Sequence, residues 1–234
     1  MRKSDEDLVV SEATKDESTL ADSKGLLWMV LGIAALFLLI FGGLAIYNHF
    51  TNKVVSIDEL HQQNLAGKLK PEQGYMYNGY SFVKADGLWW TELNKFGTTL
   101  KVPLHFGPKE LESILVQGNL DSRFNEGDQL YITINPNITN KYYSLAVSEL
   151  SFNVVKGLDR TPVGSCTQAN WACENRTILS CEQNPAHQPI VELDFQGDPG
   201  IEIKGSCIKL TGDTEFEIVK SVERLLYQWY GVMT

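Results

Sequence analysis

The residues of this chain best suited to chemistry by type and spacing are its four cysteines. Cys166, Cys173, Cys181 and Cys207 follow the pattern C-x6-C-x7-C-x25-C. No C-x-x-C pair occurs, which argues against a thioredoxin-type redox centre and against a zinc ribbon. An even set clustered late in the chain suits disulfides in an oxidising compartment. Four cysteines leave three connectivities open. The pairing expected here is Cys166–Cys173 with Cys181–Cys207. The first closes a short loop. The second ties the loop before a strand at Ile190–Phe195 to a neighbouring strand at Ile201–Leu210. Each bridge contributes about 2–4 kcal/mol by restricting the unfolded chain. His187, close to Cys181, offers a mixed cysteine–histidine metal site as the weaker alternative, because oxidising surroundings favour bridges over thiolate ligands.

The remaining chemistry-bearing residues are dispersed. His49, His61, His105 and His187 fall on different elements, and no GxSxG, HExxH or P-loop pattern accompanies them. His105 stands out, because Pro103-Leu104-His105-Phe106-Gly107-Pro108 carries it where a strand leads into a helix. A hydrogen-bonded structural histidine is the plainer expectation for it. Acidic pairs such as Asp194 with Asp198, or Glu202 with Asp213, lack calcium-loop spacing and read as solvated surface. Asn137-Ile138-Thr139 and Asn175-Arg176-Thr177 are glycosylation sequons, which chance also supplies in a chain of this length. No catalytic residue, metal or cofactor is expected from these patterns.

The dominant element is the uncharged run Leu26–Tyr47, LLWMVLGIAALFLLIFGGLAIY. As a helix it spans roughly 33 Å, matching a hydrocarbon core of about 30 Å. Trp28 and Tyr47 sit at its ends, where aromatic rings favour the lipid–water interface. The long acidic segment before it is unlike the start of a cleaved signal peptide. The expectation is a single-pass signal-anchor in the cell membrane, contacting lipid through Leu26–Tyr47. Lysine and arginine are too balanced around it to orient it. The late cysteines place residues 1–25 in the cytoplasm, as a disordered acidic tail, and the C-terminal domain outside.

Beyond the anchor, residues 48–73 read as a juxtamembrane helix and linker, with Ser56-Ile57-Asp58-Glu59 as a capping box and Ile57, Leu60 and Leu65 as an apolar stripe. Residues 74–234 read as one extracytoplasmic domain. Asp86-Gly87 between Tyr80–Ala85 and Leu88–Leu93 is a strong hairpin signal. It sets Phe82 opposite Thr91, Val83 opposite Trp90 and Lys84 opposite Trp89. Both faces of that hairpin carry apolar residues. Tyr80, Phe82, Trp89 and Trp90 are therefore the candidate interaction surface, the alternative being that Trp89 and Trp90 serve the domain's own core. A strand at Thr98–His105 follows, then a short helix at Lys109–Val116 with Leu111, Ile114 and Leu115 inward.

The remainder predicts a strand at Gln129–Asn135, a helix at Tyr142–Lys156, a loop over residues 158–188 and strands at Ile190–Phe195 and Ile201–Leu210. A terminal helix opens at the capping box Thr214-Glu215-Phe216-Glu217. The fold class is α+β: an N-terminal transmembrane helix, then a mostly antiparallel sheet with helices packed on one face.

Four segments and the terminal helix carry a resemblance. Met76–Val83, Gly87–Thr91 with Pro103–Glu110, and Gly205–Gly212 with the terminal helix resemble segments of a group of uncharacterised archaeal membrane proteins. The likeness covers most of residues 54–234. It implies an anchored architecture and attaches no activity, cofactor or site residue. The net charge of −9, from 29 acidic and 20 basic residues, disfavours nonspecific nucleic-acid binding. The functional expectation is an anchored extracytoplasmic domain that binds a protein partner or supports an envelope assembly. The alternative is an envelope enzyme, a hydrolase or thiol-redox protein, with His105 or an unpaired cysteine lining a pocket.

Overall fold

The computed structural model describes residues 19–51, 55–95 and 97–234. The chain divides into two units, one on either side of the junction between Val55 and Ser56.

In the first unit, helix α1 runs over Thr19–Thr51. It starts earlier than the apolar run because no proline or glycine interrupts the residues before Gly25, so the backbone is helical through the last part of the expected acidic tail. Residues 1–18 of that tail, and residues 52–54 of the expected linker, lie outside the described residues. From Gly25 to Tyr47 every side chain is exposed, and this stretch is long and apolar enough to cross a membrane. A helix apolar on all sides has no polar face to present to water.

The second unit holds the remaining elements. Helix α2 (Ile57–Leu65) starts at Ser56, whose hydroxyl accepts the Glu59 N–H at 3.2 Å. Its buried face is polar: His61 Nδ1 meets Ser81 Oγ at 2.9 Å, and Asn64 donates to that hydroxyl at 2.8 Å and to the Tyr75 carbonyl at 3.0 Å. Leu65, expected on the inward stripe, is exposed.

A four-stranded antiparallel sheet follows, in the order β1 (Gly74–Tyr77), β2 (Tyr80–Ala85), β3 (Leu88–Lys95), β4 (Thr98–Leu104). The β2–β3 register pairs Phe82 with Thr91, Val83 with Trp90 and Lys84 with Trp89. Asp86 and Gly87 both take positive φ, 52° and 80°, as a type I′ hairpin requires. Asn78 and Gly79 make the β1–β2 turn in the same way, at 46° and 84°.

The second sheet has seven strands in the order β5-β10-β11-β9-β6-β7-β8. Its members are β5 (Leu115–Leu120), β6 (Gln129–Ile134), β7 (Thr161–Cys166), β8 (Thr177–Ile178), β9 (Ile190–Asp194), β10 (Gly200–Gly205) and β11 (Cys207–Thr211). Every neighbouring pair is parallel except β10–β11. The α+β class therefore stands, with one antiparallel sheet and one mixed sheet in place of a single mostly antiparallel one.

Three local expectations change with it. The helix expected at Lys109–Val116 is a 3-10 turn at Pro108–Glu110 followed by strand β5, because pairing with β10 overrides a short segment's helix propensity. Leu111 and Ile114 are buried as expected, but Leu115 is exposed. The single strand Ile201–Leu210 is a tight hairpin broken at Gly205, where φ is 62°. The loop over 158–188 contains β7 and β8, which add to β6.

Helices α3 (Lys141–Leu158) and α4 (Glu217–Trp229) bury Ala146, Leu150 and Val154, and Val219, Val222 and Leu226, in phase with the helical repeat. One continuous buried cluster joins these residues to Phe82, Trp89 and Val102 of the first sheet and to Val191, Ile208 and Leu210 of the second. The sulfurs of Cys166 and Cys173, and of Cys181 and Cys207, stand at bonding distance as two disulfides. The second joins the segment before β9 to β11, its sheet neighbour.

Candidate functional site

Of the four aromatics expected to form an interaction surface, Phe82 and Trp89 are buried, and Tyr80 and Trp90 are half-buried. Phe82 and Trp89 thus belong to the domain's own core, while Tyr80 and Trp90 keep part of their surface open. Tyr75 packs on Phe82 and Trp89 at 5.6 and 4.8 Å between ring centres, and Tyr227 of α4 meets Phe82 at 5.6 Å. Helix α4 and strand β1 thus cover the face that the hairpin alone leaves open. The indole N–H of Trp90 donates to the Ala85 carbonyl at 3.2 Å.

The cleft that draws polar groups together lies between β4 and α3, with a volume of about 330 Å³. Leu100, Lys101, Val102 and Pro103 line it in succession. Alternate strand residues point to opposite faces, so four consecutive lining residues mean that the cleft follows the edge of the strand. Strand β4 is the outermost strand of its sheet. The opposite wall is a helix face: Ser148, Glu149, Phe152, Asn153 and Lys156 of α3. Phe152 is 53% exposed there.

His105 and Glu149 both line this cleft, and Glu223 of α4 completes their cluster. The segment after β4 is pinned from several sides. His105 N–H and Phe106 N–H donate to the two carboxylate oxygens of Glu223, at 2.6 and 2.8 Å. Tyr227 Oη donates to the Phe106 carbonyl at 2.8 Å, and Gly107 N–H donates to Glu110 at 2.8 Å. A Cβ at position 107 would stand 2.0 Å from Tyr75 Oη, so only glycine fits beside that ring. With the backbone held, His105 Nδ1 lies 2.6 Å from Glu149 Oε1 and 3.2 Å from Glu223 Oε1. Side-chain exposure falls from 28% at His105 through 13% at Glu149 to 0% at Glu223.

The electrostatics follow from this burial. Hydrogen bonding to Glu149 first, and to Glu223 second, raises the His105 imidazolium to about 10. Loss of water raises Glu223 to about 8, against the opposing pull of His105 and the backbone N–H groups. Glu149 Oε2 is buried with no hydrogen-bond partner among the described residues. The arrangement is an imidazole ring fixed at Nδ1 by two carboxyl groups at the floor of an apolar cleft. Ser148, the one hydroxyl residue among those lining it, donates to the Ser144 carbonyl at 2.9 Å.

His105 is the sequence-selected histidine that the fold brings into a cluster. Its two partners carry a signal that the sequence reading passes over. Glu149 lies between Ala146 and Leu150, and Glu223 between Val219 and Leu226, each in phase with the buried stripe of its helix. A charge at such a position needs a partner.

The other candidates stay apart from this cluster. His61 is buried against Ser81, and His187 lines a different cavity beside Cys181 and Cys207. Cys181 is bonded to Cys207, which removes it as a thiolate ligand. Asp194 pairs with Lys209 at 2.8 Å. Asn137 and Asn175 are both exposed, and Asn137 accepts a bond from Asn170 at 2.9 Å, on the loop between Cys166 and Cys173.

Comparison with known proteins finds no family model, curated protein or solved structure that matches this chain.

Proposed function

We propose that this chain is a single-pass anchored protein whose disulfide-braced domain works on the oxidising side of the cell membrane, docking an extended apolar segment of a partner protein along β4. The observation that carries the docking is the succession Leu100–Pro103 at the rim of the cleft. An outermost strand offers backbone C=O groups, and N–H groups at every position but Pro103, to an added strand, and the pockets beside it select side chains. Leu88, Leu100, Val102, Pro103 and Phe152 supply apolar contact, and Lys101 and Lys156 stand beside them. Support for the anchor comes from the exposed apolar stretch Gly25–Tyr47, and for the compartment from the two disulfides. In this reading residues 1–25 lie on the cytoplasmic side. The thiol-redox alternative loses ground, since all four cysteines are paired.

The test uses the full chain in native membranes. A photo-crosslinking residue replaces Phe152, and a second variant carries it at Trp171, which is exposed in the 3-10 turn Trp171–Cys173. The expected result is one protein adduct from position 152, mapping to an extended segment of the partner, and its loss on adding Leu100→Asp. The adduct pattern from position 171 stays unchanged by Leu100→Asp. Crosslinking at 152 that is absent, or indifferent to Leu100→Asp, overturns the docking reading. Labelling of reduced, intact cells by a membrane-impermeant maleimide checks the compartment, with Cys181, the half-buried one of the four, expected to react from outside.

A further inference from the structure

The His105–Glu149–Glu223 cluster has a consequence independent of the docking reading. We propose that these three side chains hold one divalent transition-metal ion of the zinc class at the floor of the β4–α3 cleft.

The donor set is one imidazole nitrogen and two carboxylate oxygens, and their ligand atoms lie within 4.8 Å of one another. Borderline divalent ions take nitrogen and oxygen ligands of this kind in fourfold coordination, with bonds of about 2.0–2.2 Å. Donors around such an ion stand about 3.4 Å apart. His105 Nδ1 is already 2.6 and 3.2 Å from its two carboxylate oxygens, so outward shifts of less than an ångström bring each of these two pairs to that spacing. The nitrogen donor speaks against calcium or magnesium, which prefer all-oxygen shells.

Charge and orientation point the same way. Two carboxylates and a neutral imidazole balance a divalent cation, and binding it displaces the protons that His105 and the carboxyl groups otherwise hold between them. Glu223 is fully buried and held by two backbone N–H groups, which is how supporting contacts fix a ligating carboxylate. Glu149 Oε2 is buried with no partner among the described residues, leaving lone pairs that an ion would engage. Each donor comes from a different part of the fold: His105 from the segment just after β4, Glu149 from α3 and Glu223 from α4. The fourth position opens toward the cleft, since His105 and Glu149 both line it. A ligand group or a water molecule entering there would complete the shell. The other cluster of similar composition among the described residues, Cys181, Glu192 and Cys207, does not compete, because its two sulfurs are joined.

The experiment uses the full chain in detergent, purified through a tag free of histidine and without chelator, then equilibrated with Zn2+ or Co2+ and freed of excess ion. Elemental analysis gives the metal per chain, and Co2+ absorption reports the ligand geometry. The expected result is one ion per chain with a tetrahedral Co2+ spectrum. Glu149→Gln should bind at least about tenfold more weakly, while His187→Ala binds as the wild type does. Tryptophan emission confirms that each variant is folded. A wild-type chain that keeps less than one-tenth of an equivalent overturns the proposal without reference to any variant. So does a folded Glu149→Gln chain that binds as tightly as the wild type.

Discussion

Breaking the two disulfides separately tests how the fold resists unfolding. The bridges close loops of different length, with sequence separations of 7 for Cys166–Cys173 and 26 for Cys181–Cys207. The chain-entropy relation gives about 2.4 kcal/mol for the shorter loop and about 3.5 kcal/mol for the longer. Replacing either pair by alanine also removes buried sulfur, but that loss is similar in both. Cys166, Cys173 and Cys207 are all under 5% exposed, and Cys181 is half-buried. The slightly smaller burial loss falls on the Cys181–Cys207 pair, so it cannot create the expected ordering. The longer bridge should therefore be worth about 1 kcal/mol more. Urea unfolding of the detergent-solubilised chain, followed by tryptophan emission, reads this as a midpoint lower by about 0.5 M for Cys181→Ala/Cys207→Ala than for Cys166→Ala/Cys173→Ala. Equal midpoints, or the reverse order, at unchanged slope would refute the loop-closure reasoning.

Two further outcomes follow from buried polar groups. Tyr227→Phe leaves the carbonyl of half-buried Phe106 without its donor, so stability should fall by about 1 kcal/mol, measured by the same urea titration. Glu192 is raised by burial, ahead of the lowering by the Cys181 N–H, so it favours folding below its ordinary range near 4.5 and opposes it as pH rises. Glu192→Gln keeps an acceptor for that N–H. Its stability relative to wild type should thus be lowest near pH 4 and grow toward pH 7; a difference flat with pH would contradict this.

Much of the local structure is written in short-range chemistry. Asp86-Gly87 fixes the β2–β3 register, because both residues tolerate the positive φ of the turn. Asn78-Gly79 carries the same signal for β1, which the three-stranded expectation omits. Ser56 starts α2 as its capping box predicts. Misreadings gather where a long-range partner decides. Residues 115–120 become a strand because β10 is there to pair with, and residues 161–166 because β6 is. Neither partner is visible in a local window.

The candidate site divides along the same line. His105 is conspicuous in the sequence, between a strand and Gly107-Pro108, but Glu149 and Glu223 follow it by 44 and 118 residues, the gaps from 105 to 149 and to 223. Their helices carry the signal of a misplaced charge without saying what answers it. The apolar length of Leu26–Tyr47, the turn dipeptides and the spacing of the cysteines are properties of the covalent chain, legible before any tertiary contact forms. Which face of the aromatic hairpin is covered, which strand edge stays open, and which three donors meet were settled only by packing. Those outcomes depend on contacts between residues distant in the chain, and no local preference encodes them.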